Sequence, residues 1–300
     1  MNPRICAANR WQPACSPNRI MRRLAGRRPL ARLVGRRLGA AAVGLAALLG
    51  VGAASAPADP IAVRYLEGVT HGFLALRAAS GEVLADGDLL QIVRPEGVDS
   101  RLLLRFRDGS LYDETAVFTQ QKVFTLQSYR LVQRGPAFPA EIEVSLTRER
   151  GTYQVRSGKH GAEPETISGE VALPPDTYNG MMTTLLKNLA KDAVETVHVL
   201  VFTPKPMLVQ LELAPVGEDT IIAGERRLPA THYVMTPKLG VVRGAAAALL
   251  GKTPAPYHCW VVTTGAPAFV ALDGPLYTGG PIWRVETVSP RGPARPAGAR

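Results

Sequence analysis

The sequence predicts a mainly β domain with one central helix, an α+β arrangement in which a curved antiparallel sheet or half-barrel wraps around an amphipathic helix. Three observations carry this. Short period-two segments separated by turn dipeptides run from Val63 to Val171, one apolar stripe of helical period follows Pro174-Pro175, and the remainder is a further series of strand-like runs. The alternating helices of a parallel-sheet enzyme are missing, and there is no internal repeat.

Taken in order, residues 1–58 stand apart from the domain. They hold ten arginines (4, 10, 19, 22, 23, 27, 28, 32, 36 and 37), no lysine and no acidic residue, and they run into the apolar stretch Leu38 to Ala54. A basic stretch, an apolar run and small-residue cleavage patterns make the layout of a secretory signal peptide. Ala54-Ser55-Ala56 and Ala56-Pro57-Ala58 both fit the cleavage rule. The second is preferred because the first would leave Pro57 directly after the cut, so the mature chain is expected to start at Asp59. The region before the apolar run is over-long from Met1 and ordinary from Met21, which is a candidate true start. No arginine pair is followed by a convincing twin-arginine consensus, so Sec-type export is favoured. Four glycines (39, 44, 50 and 52) and a length short of the ~20 residues a span requires argue against a retained anchor. No stable membrane span is then expected after cleavage.

Within the domain, Leu102, Leu104 and Phe106 alternate with Arg101, Leu103, Arg105 and Arg107. Asp108-Gly109 then leads into Leu111 to Phe118, which is a hairpin signal. Ile142, Val144 and Leu146 alternate with Glu141, Glu143, Ser145 and Thr147 before a turn at Arg150-Gly151 and a partner strand Thr152 to Arg156. Turns at Ser80-Gly81 and Gly158 to Gly161 complete an antiparallel meander. Tyr178, Met181, Met182, Leu185, Leu186 and Leu189 form the apolar stripe of a helix predicted over Thr177 to Ala190, with Asp176 or Thr177 as its cap and Lys187 and Lys191 near its C-terminal end. Strands are expected at Glu195 to Thr203, Met207 to Ala214, Thr220 to Ala223, Ala230 to Thr236, Tyr257 to Thr264, Ala268 to Leu272 and Trp283 to Val288. His198 to Phe202 is apolar on both faces, so the sheet is covered there. Residues 239–250, bounded by Pro237 and Pro254, read as a short core helix or packed crossover, or else as a lid or apolar tip. Residues 59–290 are thus one β-rich domain, and the Pro/Gly/Ala tail 291–300 is disordered by composition.

Charge follows the same division. The 300-residue chain has 35 Lys+Arg against 25 Asp+Glu, a formal +10 that raises nucleic acid as a partner. The leader holds ten of the basic residues and the tail three more (Arg291, Arg295 and Arg300), so the folded part is mildly acidic. It has no basic run with which to neutralise phosphates, and nucleic acid is not an expected partner. Cys6 and Cys15 leave with the leader. Cys259 alone remains and has no internal partner for a disulfide.

No catalytic residue and no cofactor are named. There is no Gly-x-Ser-x-Gly elbow, no phosphate-cradling loop and no cysteine-nucleophile setting. The five histidines (71, 160, 198, 232 and 258) are singletons without metal-ligand spacing. Asp113 and Glu114 are consecutive strand residues and point to opposite faces, so they cannot share one substrate.

With the leader, the hairpins, the segment after Pro174-Pro175, the stretches Asp108 to Thr115 and Leu185 to Leu189, and the closing Gly274-Pro275-Leu276-Tyr277 and Gly279-Gly280-Pro281-Ile282-Trp283 all in view, the chain resembles a family of uncharacterised exported bacterial proteins, a domain of unknown function. In layout it is also similar to the lipoprotein-carrier half-barrels of the bacterial envelope (LolA/LolB). The expectation is a periplasmic or secreted monomer that binds or transports an apolar or lipid-like ligand without catalysis, with Met181, Met182, Leu185, Val199, Val201 and Phe202 as lining residues. The same residues would serve as core, and a cavity of about 300 Å³ or more between helix and sheet separates the two readings. An envelope enzyme built from His71, Asp113, Glu114, His232 and Tyr233, or an interaction protein using residues 239–250, are the alternatives.

Overall fold

The computed structural model describes residues 59–203, 205–223, 226–238 and 254–289. Its strands are β1 (Thr70–Arg77), β2 (Val83–Arg94), β3 (Gly97–Phe106), β4 (Leu111–Gln120), β5 (Phe124–Arg134), β6 (Glu141–Thr147), β7 (Thr152–Gly158) and β8 (Glu165–Glu170) before the helix α1 (Met182–Asn188). After it come β9 (Glu195–Thr203), β10 (Lys205–Ala223), β11 (Arg226–Lys238), β12 (Tyr257–Val262), β13 (Ala268–Gly274) and β14 (Trp283–Val288). All are antiparallel in a single curved sheet ordered β8-β7-β6-β5-β4-β3-β2-β1-β14-β13-β12-β11-β10-β9. The first and last strands therefore pair in the middle of the sheet, Leu76 opposite Val285, while the free edges are β8 and β9, the strands that flank the helix in sequence.

The hairpins lie where alternation and turn residues place them. Gly81, Gly109, Gly151 and Gly161 all take positive φ, and Asp108 accepts the Ser110 N–H across its turn. Two expectations are corrected. The helix covers only Met182–Asn188, not Thr177 to Ala190, and it starts at Met181 without a side-chain cap. Gly180 sits at φ +69, and a Cβ there would come within 3.2 Å of Ala116, so this residue turns the chain and cannot continue a helix. The preceding residues are used as a mock strand. The Tyr178 N–H donates to the His198 carbonyl, the His198 N–H to the Asp176 carbonyl, and the Asn179 side chain both donates to the Leu200 carbonyl and accepts the Leu200 N–H. Asp176 bonds His198 at 2.6 Å and Thr177 Oγ1 donates to the Pro174 carbonyl, so neither is free to cap. Second, the separate strands expected at Met207 to Ala214 and Thr220 to Ala223 are one strand, β10, whose register shifts between Pro215 and Gly217. Proline is tolerated at such a bulge, and there it reads as a break in the sequence.

Residues 176–179 also close the curved sheet. On one side they ladder onto the β9 edge. On the other, the Arg148 guanidinium donates to the carbonyls of Leu126, Pro174 and Thr177, tying the segment to the start of β5 and the end of β6. Ile61 to Glu67 then strap the helix end of the barrel. The Ala62–Val123 bridge fixes the strap to the start of β5, Asn188 Oδ1 accepts the Arg64 and Tyr65 N–H groups, and Lys187 pairs with the buried Glu67. Two apolar clusters result. One surrounds α1 with Phe118, Phe124, Tyr178, Met181, Leu185 and Leu213. The other sits at the opposite end, where Phe106, Phe138, Tyr277 and Trp283 form a ring of edge-to-face contacts with centroids 5.5–6.1 Å apart.

Candidate functional site

The wall formed by β2, β3, β4 and β5 carries inward-facing residues in cross-strand rows. Gln91, Ser100, Ala116 and Tyr129 make one row, and Gly87, Leu104, Tyr112 and Gln133 another. Every member of both is buried. Between them lies the row Leu89, Leu102, Glu114 and Leu131, and all four of its members keep accessible surface. A solid core would seal the middle row at least as well as the rows above and below. The accessible row is therefore the less tightly covered part of the wall, at mid-height between the helix-filled end and the aromatic ring. Tyr257, Phe269 and Leu272 on β12 and β13, and Met182, Val199 and Phe202, are likewise only partly buried where they pack against the first cluster.

One carboxyl enters this apolar space. Glu114 Oε1 accepts a 2.9 Å hydrogen bond from the Tyr129 hydroxyl, and the Tyr112 hydroxyl adjoins it from two residues back on the same strand face. Burial raises the Glu114 carboxyl above the usual glutamate range, outweighing the two phenols, which favour its ionised form. Burial likewise raises the phenols of Tyr112, Tyr129 and Tyr257, and in each the Glu114 charge adds to the effect. Phe202 lies parallel to Tyr129, with ring planes 7° apart and centroids 6.2 Å apart. A carboxyl is thus held by tyrosine hydroxyls in a row whose other members are leucines.

The six expected lining residues divide. Met181 and Leu185 have no accessible surface and are core; Met182, Val199, Val201 and Phe202 are partly accessible. The five residues considered for an enzyme are dispersed. Glu114 points inward. Asp113 is on the outer face in a bidentate pair with Arg101, as consecutive strand positions require. His71 pairs with Asp88 on the exposed side, Tyr233 is buried in the first cluster, and His232 lies on the outer face. Residues 239–250 lie outside the described residues.

Two further features escape sequence reading. A cleft of about 560 Å³ opens between the helix and the sheet, bordered by Arg64, Leu186, Leu189, Val216, Glu218 and Tyr233 among others. On the outer wall, His232 Nε2 lies 3.0 Å from His258 Nδ1, its ring stacks on Trp260, and the Trp260 N–H donates to Asp219. Burial lowers the His232 pKa and the nearby His258 lowers it further. Among the described residues no group of three or more His, Cys, Asp or Glu side chains is arranged to hold a metal ion, and no helix is long and apolar enough to cross a membrane. Cys259 is wholly buried and burial drives its thiol pKa far up, the opposite of a reactive thiolate.

No family model and no curated protein matches the chain. Among solved structures it is similar to a β-barrel-like protein of a domain of unknown function, DUF1849, from Brucella abortus. The two share 11% identity over 75% of this chain and 98% of that one, at a TM-score of 0.39.

Proposed function

We propose that the protein is an exported, non-catalytic binder or carrier of an apolar or lipid-like ligand, acting as a monomer in the periplasm after removal of residues 1–58. The observation that carries this reading is the accessible inward row Leu89, Leu102, Glu114 and Leu131 between two buried rows, three leucines and one carboxyl that tyrosine hydroxyls meet. The cleft of about 560 Å³ between helix and sheet is a separate opening, bordered in part by Arg64, Lys187, Lys191, Asp192 and Glu218, and none of the expected lining residues borders it. The leader's arginine-rich stretch, apolar run and cleavage pattern support export. The dispersal of His71, Asp113, His232 and Tyr233 around Glu114 gives no support to an enzyme assembled from them.

The test is native mass spectrometry of the mature protein purified from the periplasm of an expressing Gram-negative host. The expected result is an adduct of lipid mass that is lost on denaturation, together with an intact mass starting at Asp59. A clean apo mass under gentle ionisation that stays unchanged after incubation with lipid extract overturns the binding reading.

A further inference from the structure

Glu114 poses a physical problem that the rest of the barrel leaves unsolved. It is enclosed, and the influences on its proton are burial and two phenols, with no cationic group of the described residues among them. Two other carboxylates on the barrel have cations: Glu67 has Lys187 at its Oε2, and Asp113 has both arms of Arg101. An isolated carboxylate in an apolar enclosure is costly unless it takes up a proton or a counter-charge. Here it remains in contact with accessible space, so a counter-charge could be delivered by a ligand.

The surroundings select what kind of cation fits. The hydroxyls of Tyr129 and Tyr112 reach the carboxyl, Tyr257 is near enough to feel its charge, and Phe202 stacks on Tyr129, so the carboxyl is flanked by phenol oxygens. A carboxylate flanked by phenol oxygens suits an ammonium group, which has three N–H donors and makes a charge-assisted contact with the carboxylate while bonding the neighbouring oxygens. The remaining members of the row, Leu89, Leu102 and Leu131, suit an aliphatic chain. Resting on the binding reading above, we propose that this space takes a ligand with a protonated amine on an apolar chain, the ammonium paired with Glu114 beside the tyrosine hydroxyls.

Isothermal titration with matched amphiphiles below their micellar concentrations tests this. The probes are dodecylamine, dodecanol and dodecanoate, with lysophosphatidylethanolamine as an amine carried on a lipid head-group. At about pH 8 the expected result is binding of an amine at least about tenfold tighter than the alcohol, ~1.4 kcal/mol, with the carboxylate weakest. Which of the two amines wins tells a free alkylamine from a lipid head-group. The preference should shrink at about pH 4, where the carboxyl is protonated, and disappear in Glu114→Gln, which keeps an acceptor for the Tyr129 hydroxyl. Equal binding of alcohol and amine, or a preference that survives both low pH and Glu114→Gln, overturns the amine assignment while leaving a carrier intact. Failure of all four probes to bind overturns the carrier reading itself. The wild-type pH comparison stands even if the variant does not fold.

Discussion

Replacing Leu102 by phenylalanine asks directly whether the middle of the barrel is open, because the sign of the effect depends on it. Leu102 and Leu104 are inward-facing neighbours on β3, separated by one outward residue. Leu104 is fully sealed and Leu102 keeps accessible surface. In the chamber the larger side chain covers more apolar surface at ~0.8 kcal/mol per added carbon, or about 2 kcal/mol before losses to restricted rotamers, and cavity-filling changes commonly yield about 0.5–2 kcal/mol. At Leu104 the same change has no room. The Gly87 position beside it is so close that a Cβ there would meet Leu104 Cδ2 at 2.6 Å, so overpacking should cost about 1–3 kcal/mol. Urea unfolding of both variants, with m unchanged, measures the pair. Leu102→Phe should be neutral to stabilising and Leu104→Phe destabilising, a separation of about 2–4 kcal/mol, or some 4–16 °C in Tm for a domain this size. Leu102→Phe should also displace whatever the chamber binds. If both variants lose similar stability, the row at Leu102 is packed and the chamber does not exist.

Two further measurements probe the groups at either side of it. Glu114 has a raised folded-state pKa, so its contribution to stability is fully present below the unfolded glutamate value of ~4.3 and is lost as pH rises through the folded value, at about 1.4 kcal/mol for each tenfold displacement of its proton equilibrium. Glu114→Gln should remove that decline, so the variant gains on the wild type as pH rises from about 4 to 8 in ligand-free protein; parallel curves would show that the carboxyl is not confined as described. At the helix end, the Tyr178 hydroxyl accepts the Ile61 N–H at 3.0 Å and donates to the Phe124 carbonyl at 3.2 Å. Tyr178→Phe leaves those buried backbone groups short of a partner, at a cost of about 1–3 kcal/mol, and should make the strap around Ile61 to Glu67 the first site of limited proteolysis. An unchanged Tm and cleavage pattern would mean that the strap is held by other contacts.

Much of the wall was legible one residue at a time. The alternation at Leu102, Leu104 and Phe106 and at Ile142, Val144 and Leu146, with glycines at 109 and 151, specifies hairpins locally, because side chains in a strand alternate and only certain turns accept positive φ. Asp113 and Glu114 fall on opposite faces for the same reason. Helical periodicity was a weaker guide. Tyr178 fits the stripe by spacing, yet its segment gains more by laddering onto the β9 edge, whose backbone groups would otherwise lack partners, and Gly180 allows the chain to leave that ladder for the helix. Pro215 reads as a strand break because nothing local reveals that β10 continues beyond a bulge.

The candidate site belongs to a different level of organisation. Glu114, Tyr112, Tyr129, Tyr257 and Phe202 come from β4, β5, β9 and β12, and none has a motif neighbour that marks it. They meet because β1 and β14 pair in the middle of the sheet and residues 176–179 with Arg148 close it from the other side, contacts between distant parts of the chain. The sequence by itself determined strand alternation, turn positions, the arginine-rich composition of residues 1–58 and the acidic balance of residues 59–290, since each is read from composition or from residues within a few positions of one another. Only the tertiary structure decided that one inward row keeps accessible surface between two sealed ones, and that the carboxyl in that row meets phenol hydroxyls with no cation of the described residues among its partners, because burial and electrostatic compensation depend on what the rest of the chain brings across the sheet.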